Sequence, residues 1–258
     1  MAGNTTKVAK YDFSNMPQML TEKLVSVEDA LPKDFNRARF VQNSIALLND
    51  DPDKFKEFSP ASIMAGLVRG SILGLDFFSK ECYLVPFSGK LEFMPSYTGQ
   101  VKLAKKYSQR PLKEIYARLI RQGDDFEEVI VNGEPTINFK PKFLNDGDII
   151  GAFAVAIYKD GGLQYEVMSL KELETARSCS KAKTSPAWSK FTGEMYKKTV
   201  IRRLCKHIDI EFENANQMAE YNNDMAMEDD PVKMNEIEVE AEANTVDFVP
   251  FDVEGQTE

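Results

Sequence analysis

The spacing of hydrophobic and polar positions changes period several times along the chain. Residues 34–49 (DFNRARFVQNSIALLN) place Phe40, Ile45, Leu47 and Leu48 at helical intervals. Ser59 and Pro60 then supply an N-cap and a first-turn proline for a second helix through ASIMAGLVRGSILGL. Gly66, Gly70 and Gly74 recur there one turn apart. Each helical glycine costs about 1 kcal/mol relative to alanine, so the series predicts close approach by another backbone. Strand periodicity follows: ECYLVPF and KLEFMP flank Ser88-Gly89 as a hairpin, with Tyr83, Val85 and Phe87 alternating on one arm and Leu91 and Phe93 on the other.

After Pro95 the stretch SYTGQVKLAKKYSQR returns to a helical pattern, and KEIYARLIRQ (113–122) reads as a strand. Asn132-Gly133 and Asp160-Gly161-Gly162 mark two further hairpin turns. Ser169 and Glu172 form a capping box that opens another helix. The polar loop SCSKAKTSP leads into a last amphipathic helix, AWSKFTGEMYKKTVIRRLCKH. This order predicts an α+β fold, a small antiparallel sheet of about five strands packed with helices. Residues 1–30 have no signal-peptide core and read as a flexible polar arm. Residues 31–210 carry the folded domain, and 211–258 read as an acidic, disordered tail.

Charge sharpens that division. The formal net charge is -9, yet residues 211–258 hold 15 Asp and Glu against Lys233 alone, a net of -14, which leaves residues 1–210 at +5. The acidity therefore belongs to the tail. Within it, VDFVPFDV (246–253) is an acidic–aromatic cluster, either a docking peptide or an incidental apolar patch in a solvating segment. No apolar run approaches the roughly 18 residues of a membrane span. Cys82, Cys179 and Cys205 are far apart and odd in number, which suits free thiols in a reducing cytoplasm.

Several chemistries are poorly supplied. A single histidine, His207, argues against imidazole-based triads and His-rich metal sites; at the end of the basic helix it suits the helix dipole. Neither GxxxxGK[ST] nor GxGxxG occurs, so a phosphate-binding nucleotide loop is unsupported. Asp124-Asp125 and Asp146/Asp148 could suggest a two-metal site, but both pairs lie in Asn- and Gly-rich segments that favour Asp for turn chemistry. A binding protein fits this inventory better than an enzyme.

The basic residues cluster in two places. Residues 100–121 hold seven Lys and Arg against Glu114, and 181–206 hold eight against Glu194. In the second, Lys198, Arg202 and Lys206 repeat at i, i+4 and i+8, opposite an apolar stripe of Tyr196, Val200, Ile201 and Leu204. No acid follows any of the three at i+4, so the row is either a solvated face or a seat for anions. Candidate contacts to a nucleic-acid backbone are Gln100, Lys102, Lys105, Lys106 and Arg110 in the first cluster, with Tyr97 before it. Those in the second are Lys181, Lys183, Lys197, Lys198, Arg202, Arg203 and Lys206. Tyr97, Trp188 and Phe191 are either stacking platforms for bases or core residues.

Two blocks resemble the RecT family of phage and prophage recombinases. The first is SILGLDFFSKECYLVPFSGKLEFMPSYTGQVKLAKK (71–106), with its Gly-Leu-Asp, YLVPF–GK and P-S-Y-x-G elements. The second is SPAWSKFTGEMYKKTVIRRLCKH, with its Lys-Lys-Thr-Val-Ile-Arg-Arg run. The resemblance spans roughly residues 30–210. It implies an ATP-independent protein that binds single-stranded DNA and pairs it with a complementary strand. It also implies a homo-oligomeric ring or helical filament with a basic groove, aided by Mg2+ at no site identifiable from sequence. A phage 5′→3′ exonuclease and a host single-strand-binding protein are the implied partners, in a bacterial cytoplasm. Thr98 departs from the family, where many relatives carry Arg, so a phosphate contact there is either absent or supplied by Gln100, Lys102 or Lys105.

Overall fold

The computed structural model describes residues 13–87, 90–180 and 183–228. Nine helices and seven strands are assigned among them. Helix α1 (Met16–Ser26), α2 (Arg37–Asp50), the single turn α3 (Pro52–Phe55) and α4 (Pro60–Leu73) come first. The hairpin β1 (Cys82–Phe87)–β2 (Lys90–Pro95) and helix α5 (Tyr97–Tyr107) follow. Then come β3 (Leu112–Arg121), β4 (Asp125–Val131), β5 (Glu134–Lys140), β6 (Ile149–Tyr158) and β7 (Leu163–Ser169). Helices α6 (Leu170–Cys179), α7 (Pro186–Lys190), α8 (Thr192–Cys205) and α9 (Ala215–Glu228) close the order.

The fold is α+β and all strand pairing is antiparallel, as the periodicity predicts, but the strands do not form one sheet of five. They divide into β1–β2, β4–β5 and the three-stranded β3–β6–β7. Alternation along β6 explains the layering. Ala152, Ala154 and Ala156 face the helices, whereas Phe153 and Val155 face the β4–β5 hairpin with Phe126 and Phe139. Small residues on one side let α8 lie close; rings on the other give the hairpin an aromatic seat, with Phe139 and Phe153 centroids 4.9 Å apart. Asn132 and Gly133 both adopt positive φ at the hairpin tip, as a two-residue turn of this type requires.

The glycine series in α4 has two separate causes. Side chains rather than a backbone make the approach: a Cβ on Gly66 would fall on Leu84, and one on Gly70 would meet the Phe77 ring at 2.7 Å. Gly74 is the C-cap, at φ +68°.

Both ends of the folded region extend past the expected limits. Residues 16–26, placed in the polar arm, form α1, with Met16, Leu20 and Leu24 buried one turn apart against the N-terminal core. Residues 211–228, placed in the tail, return to the body. Phe212 packs against Tyr107 with ring centroids 4.8 Å apart, Asn214 caps α9, and Glu220 accepts a 2.7 Å hydrogen bond from Arg69 on α4. Residues 1–12 and 229–258, including VDFVPFDV, lie outside the described residues, as does the Ser88-Gly89 turn.

Candidate nucleic-acid interface

Helices α5 and α8 are far apart in the chain, yet they lie side by side and run the same way. At their N-terminal ends Tyr97 sits close enough to Glu194 that, after burial, this carboxylate also pushes its phenol pKa up. At their C-terminal ends Ser108 pairs with Ile210, and Gln109 N–H donates to the Asp209 carbonyl at 3.1 Å. Between these ends Val101 and Ala104 share one apolar cluster with Ile201, Leu204 and Ile208. The two basic segments are therefore brought next to each other.

The candidate contacts do not all reach it. Gln100 is buried, 3% exposed, and so is not at the surface. Lys102 donates to the Glu81 carboxylate at 2.6 Å and the Gly74 carbonyl at 3.1 Å. Lys106 pairs with Asp34, whose carboxyl is held below its ordinary value chiefly by that hydrogen bond. Arg110 grips Asp160 through two hydrogen bonds of 2.6 and 2.9 Å and stacks on Tyr158. Arg203 pairs with Glu166 at 2.8 Å and Glu172 at 3.2 Å, and Lys197 pairs with Glu194. These cations have acidic partners after all; most come from other elements rather than from one helical turn away.

The remaining candidates form a smaller set. Lys105 is exposed and makes no ion pair among the described residues. Lys198, Arg202 and Lys206 are half-buried on the side of α8 away from Val200 and Leu204, and each has a contact within the chain. Lys183 is exposed in the loop before α7; Lys181 lies outside the described residues. Tyr97 is half-buried at the start of α5 and Phe191 is 37% exposed between α7 and α8. Trp188 is core: it is 3% exposed and meets Tyr196 edge-on at 6.0 Å.

One part of the surface includes basic residues that were not among the candidate contacts. Between the β3 edge and the β4–β5 hairpin runs a groove of about 870 Å³, lined by Tyr116, Arg118, Arg121, Phe139, Lys142 and Lys197 among others. Arg118 and Lys142 are exposed and make no ion pair among the described residues. Arg121 donates to the Gly147 carbonyl at 2.7 Å. The two acids in the lining are Glu114 and Asp124. Burial disfavours the Asp124 carboxylate, but hydrogen bonds from Asn145 and the Arg121 and Lys142 backbones outweigh it and hold its pKa below the usual range. Asp124 thus does the turn chemistry expected of it. Alternation along β3 could have flagged Arg118, which shares a face with Tyr116 and Ile120; only the hairpin's folding over that face makes a groove.

The first signature block explains itself as a joint. Asp76 accepts from the backbone N–H of Phe78 at 2.8 Å and from the Asn43 side chain at 2.6 Å. The Glu81 carboxylate accepts from Asp76 N–H, and its carbonyl accepts from Ser96 N–H at 2.9 Å. A Cβ on Gly99 would fall on that same carbonyl oxygen. Thr98 is exposed, its hydroxyl hydrogen-bonded with that of Ser96 at 2.6 Å. Of the three residues offered to replace an arginine there, only Lys105 stands exposed.

Among the described residues no group of three His, Cys, Asp or Glu is placed to hold a metal ion, and no helix is long and apolar enough to cross a membrane. The RecT family pattern matches residues 38–236. Protein RecT of Escherichia coli (strain K12) is 33% identical over 216 residues, which cover 78% of this chain and 76% of that protein. The chain belongs to the RecT family, whose members are DNA-recombination and single-strand annealing proteins rather than catalysts of a chemical reaction.

Proposed function

We propose that this chain holds single-stranded DNA by its phosphates along the α5–α8 surface and anneals it to a complementary strand without ATP. The observation that carries this reading is the parallel packing of α5 against α8, which brings two basic segments side by side. Lys105, Lys198, Arg202 and Lys206 would take the phosphates, exchanging internal contacts for DNA where they have them. Arg118, Lys142 and Lys197 would extend the track into the groove along β3, with Tyr116 and Phe139 as its aromatic lining. Phosphate binding of this kind leaves base edges free to test a second strand, and pairing itself then drives the product. No hydrolysis is needed. A continuous track over many nucleotides implies several copies side by side, in a ring or filament. An exonuclease that exposes single strands and a host single-strand-binding protein are the partners this activity calls for.

The test is annealing of complementary oligonucleotides without nucleotide, together with the salt dependence of single-strand binding. Lys198→Ala/Arg202→Ala is expected to keep its fold, slow annealing, and reduce the log–log salt slope by about 1.4, two contacts at roughly 0.7 each. An unchanged slope in the folded variant would return this face to simple solvation. Binding without annealing in the native chain would make it a passive protector of single strands.

A further inference from the structure

A second surface, on the N-terminal lobe, has no role in this reading. An apolar groove of about 760 Å³ runs over α4, floored by Met64, Val68 and Ile72 and walled by Met19 of α1. Met19 is 45% exposed, and Lys23 stands one turn further along α1. The opposite wall is α9, where Glu220 is held by Arg69. Methionine-lined grooves adapt to varied apolar side chains, and a volume of this order suits two or three of them.

The geometry points to one occupant: we infer that residues 246–253 of the same chain, VDFVPFDV, dock in this groove through Phe248 and Phe251. Three observations carry this. Glu220 of α9 lines the groove and the helix ends two turns later at Glu228, so the chain leaves the described region about 12 Å along the helix from that residue. The 18 residues from Glu228 to Val246 reach up to about 60 Å at roughly 3.3 Å each, well beyond what the site demands. The segment is also the only part of residues 229–258 that clusters aromatic residues, and its flanking Asp247 and Asp252 suit Lys23 on the rim. Tethering raises the effective concentration to the order of millimolar, so even a weak intrinsic affinity fills the groove. Docking there seats the acidic tail on α1 and α4, elements other than the basic α5 and α8, so its charge need not compete with DNA. The inference does not depend on the annealing reading, and its test does not use annealing.

A fluorescent synthetic peptide of residues 244–255 serves as the probe, with anisotropy as the readout on full-length protein. The Phe248→Ala/Phe251→Ala chain, with its groove vacated, is expected to bind the peptide at least tenfold more tightly than the native chain. Adding Met19→Glu, an exposed position, to that variant should abolish binding. Equal affinity for native and double-variant chains would overturn docking in cis, and no binding to either would overturn the match of segment to groove. Binding indifferent to Met19→Glu would place the segment elsewhere and sink the proposal. Hydrogen exchange in α4 supplies a check independent of the peptide: it should quicken in the tail variant at every protein concentration. Quickening only at high concentration would make the occupant a second copy's tail. Quickening instead on Phe143→Asp/Leu144→Asp, the two most exposed apolar residues of the β5–β6 loop, would make it a neighbouring copy's loop. Either result overturns docking in cis.

Discussion

In residues 71–106 four polar side chains, Asp76, Glu81, Ser96 and Lys102, bond to one another and to nearby backbone, while Lys105 stays exposed. In residues 186–207 the division is different, because Trp188, Tyr196, Val200 and Leu204 pack inward while Lys198, Arg202 and Lys206 stand on the other side of the helix. Both blocks carry the family resemblance, yet they do different work. The first is a joint that sets α5 against the β1–β2 hairpin and α4. The second is half core and half cationic surface. A shared motif therefore need not mark a contact with DNA; in the first block it marks a place where backbone and side chains approach too closely for substitution.

The comparison can be broken most forcefully at Trp188. As a core residue, Trp188→Ala should cost about 3–5 kcal/mol of stability by chemical denaturation, with single-strand affinity per folded molecule unchanged. A stable variant with weakened binding would make the indole a base platform instead. Gly99→Ala comes next, since its new methyl would meet the Glu81 carbonyl oxygen. A loss of about 1–3 kcal/mol is expected from this overpacking, and an unchanged midpoint in urea would show that the joint tolerates the intrusion.

The cations of α5 sharpen the contrast between inward and outward roles. Lys102→Ala removes the partner of the part-buried Glu81 and should cost about 1–2 kcal/mol, more than its effect on DNA binding. Lys105→Ala should change stability by less than about 0.5 kcal/mol, while lowering the salt slope of binding by about 0.7. The reverse pattern would exchange their assignments.

The smallest effect concerns Glu172. Hydrogen bonds from the Ser169 backbone, then its hydroxyl, and then Arg203 hold this carboxyl below 4.5. A depressed folded pKa stabilises above the unfolded value and loses that contribution as pH falls through the folded one. Stability should therefore decline below about pH 4.5, and Glu172→Gln should flatten that acid limb by less than about 1 kcal/mol for so exposed a group. An acid limb identical to the native one would remove Glu172 from the capping and pairing roles assigned to it.

Local chemistry made much of this molecule legible. The Asn132-Gly133 and Asp160-Gly161-Gly162 turns and the Ser59 and Ser169 caps each depend on a few adjacent residues, and each appears where the pattern places it. The ends were harder to read. Helix α1 has a modest apolar stripe in a polar stretch, and α9 an acidic one; neither reveals a buried face until the α4 surface is there to cover it. The candidate site divided the same way. Charge clustering singled out α5 and α8, but gave no means of telling Lys102 from Lys105.

By itself the sequence determined the order of the longer helices and the hairpins between α2 and α8, the segregation of acid into the last residues, and the two blocks that mark the family. These depend on period, turn residues and composition, which are properties of neighbours in the chain. Tertiary structure alone decided which cations are tied to carboxylates, that three small sheets form rather than one, and that α5 packs beside α8. Ion pairs such as Lys106–Asp34 and Arg110–Asp160 join residues far apart along the chain. Coulomb attraction and hydrogen bonding act over a few ångströms in space, whatever the separation in sequence, so no helical-wheel count can find these partners.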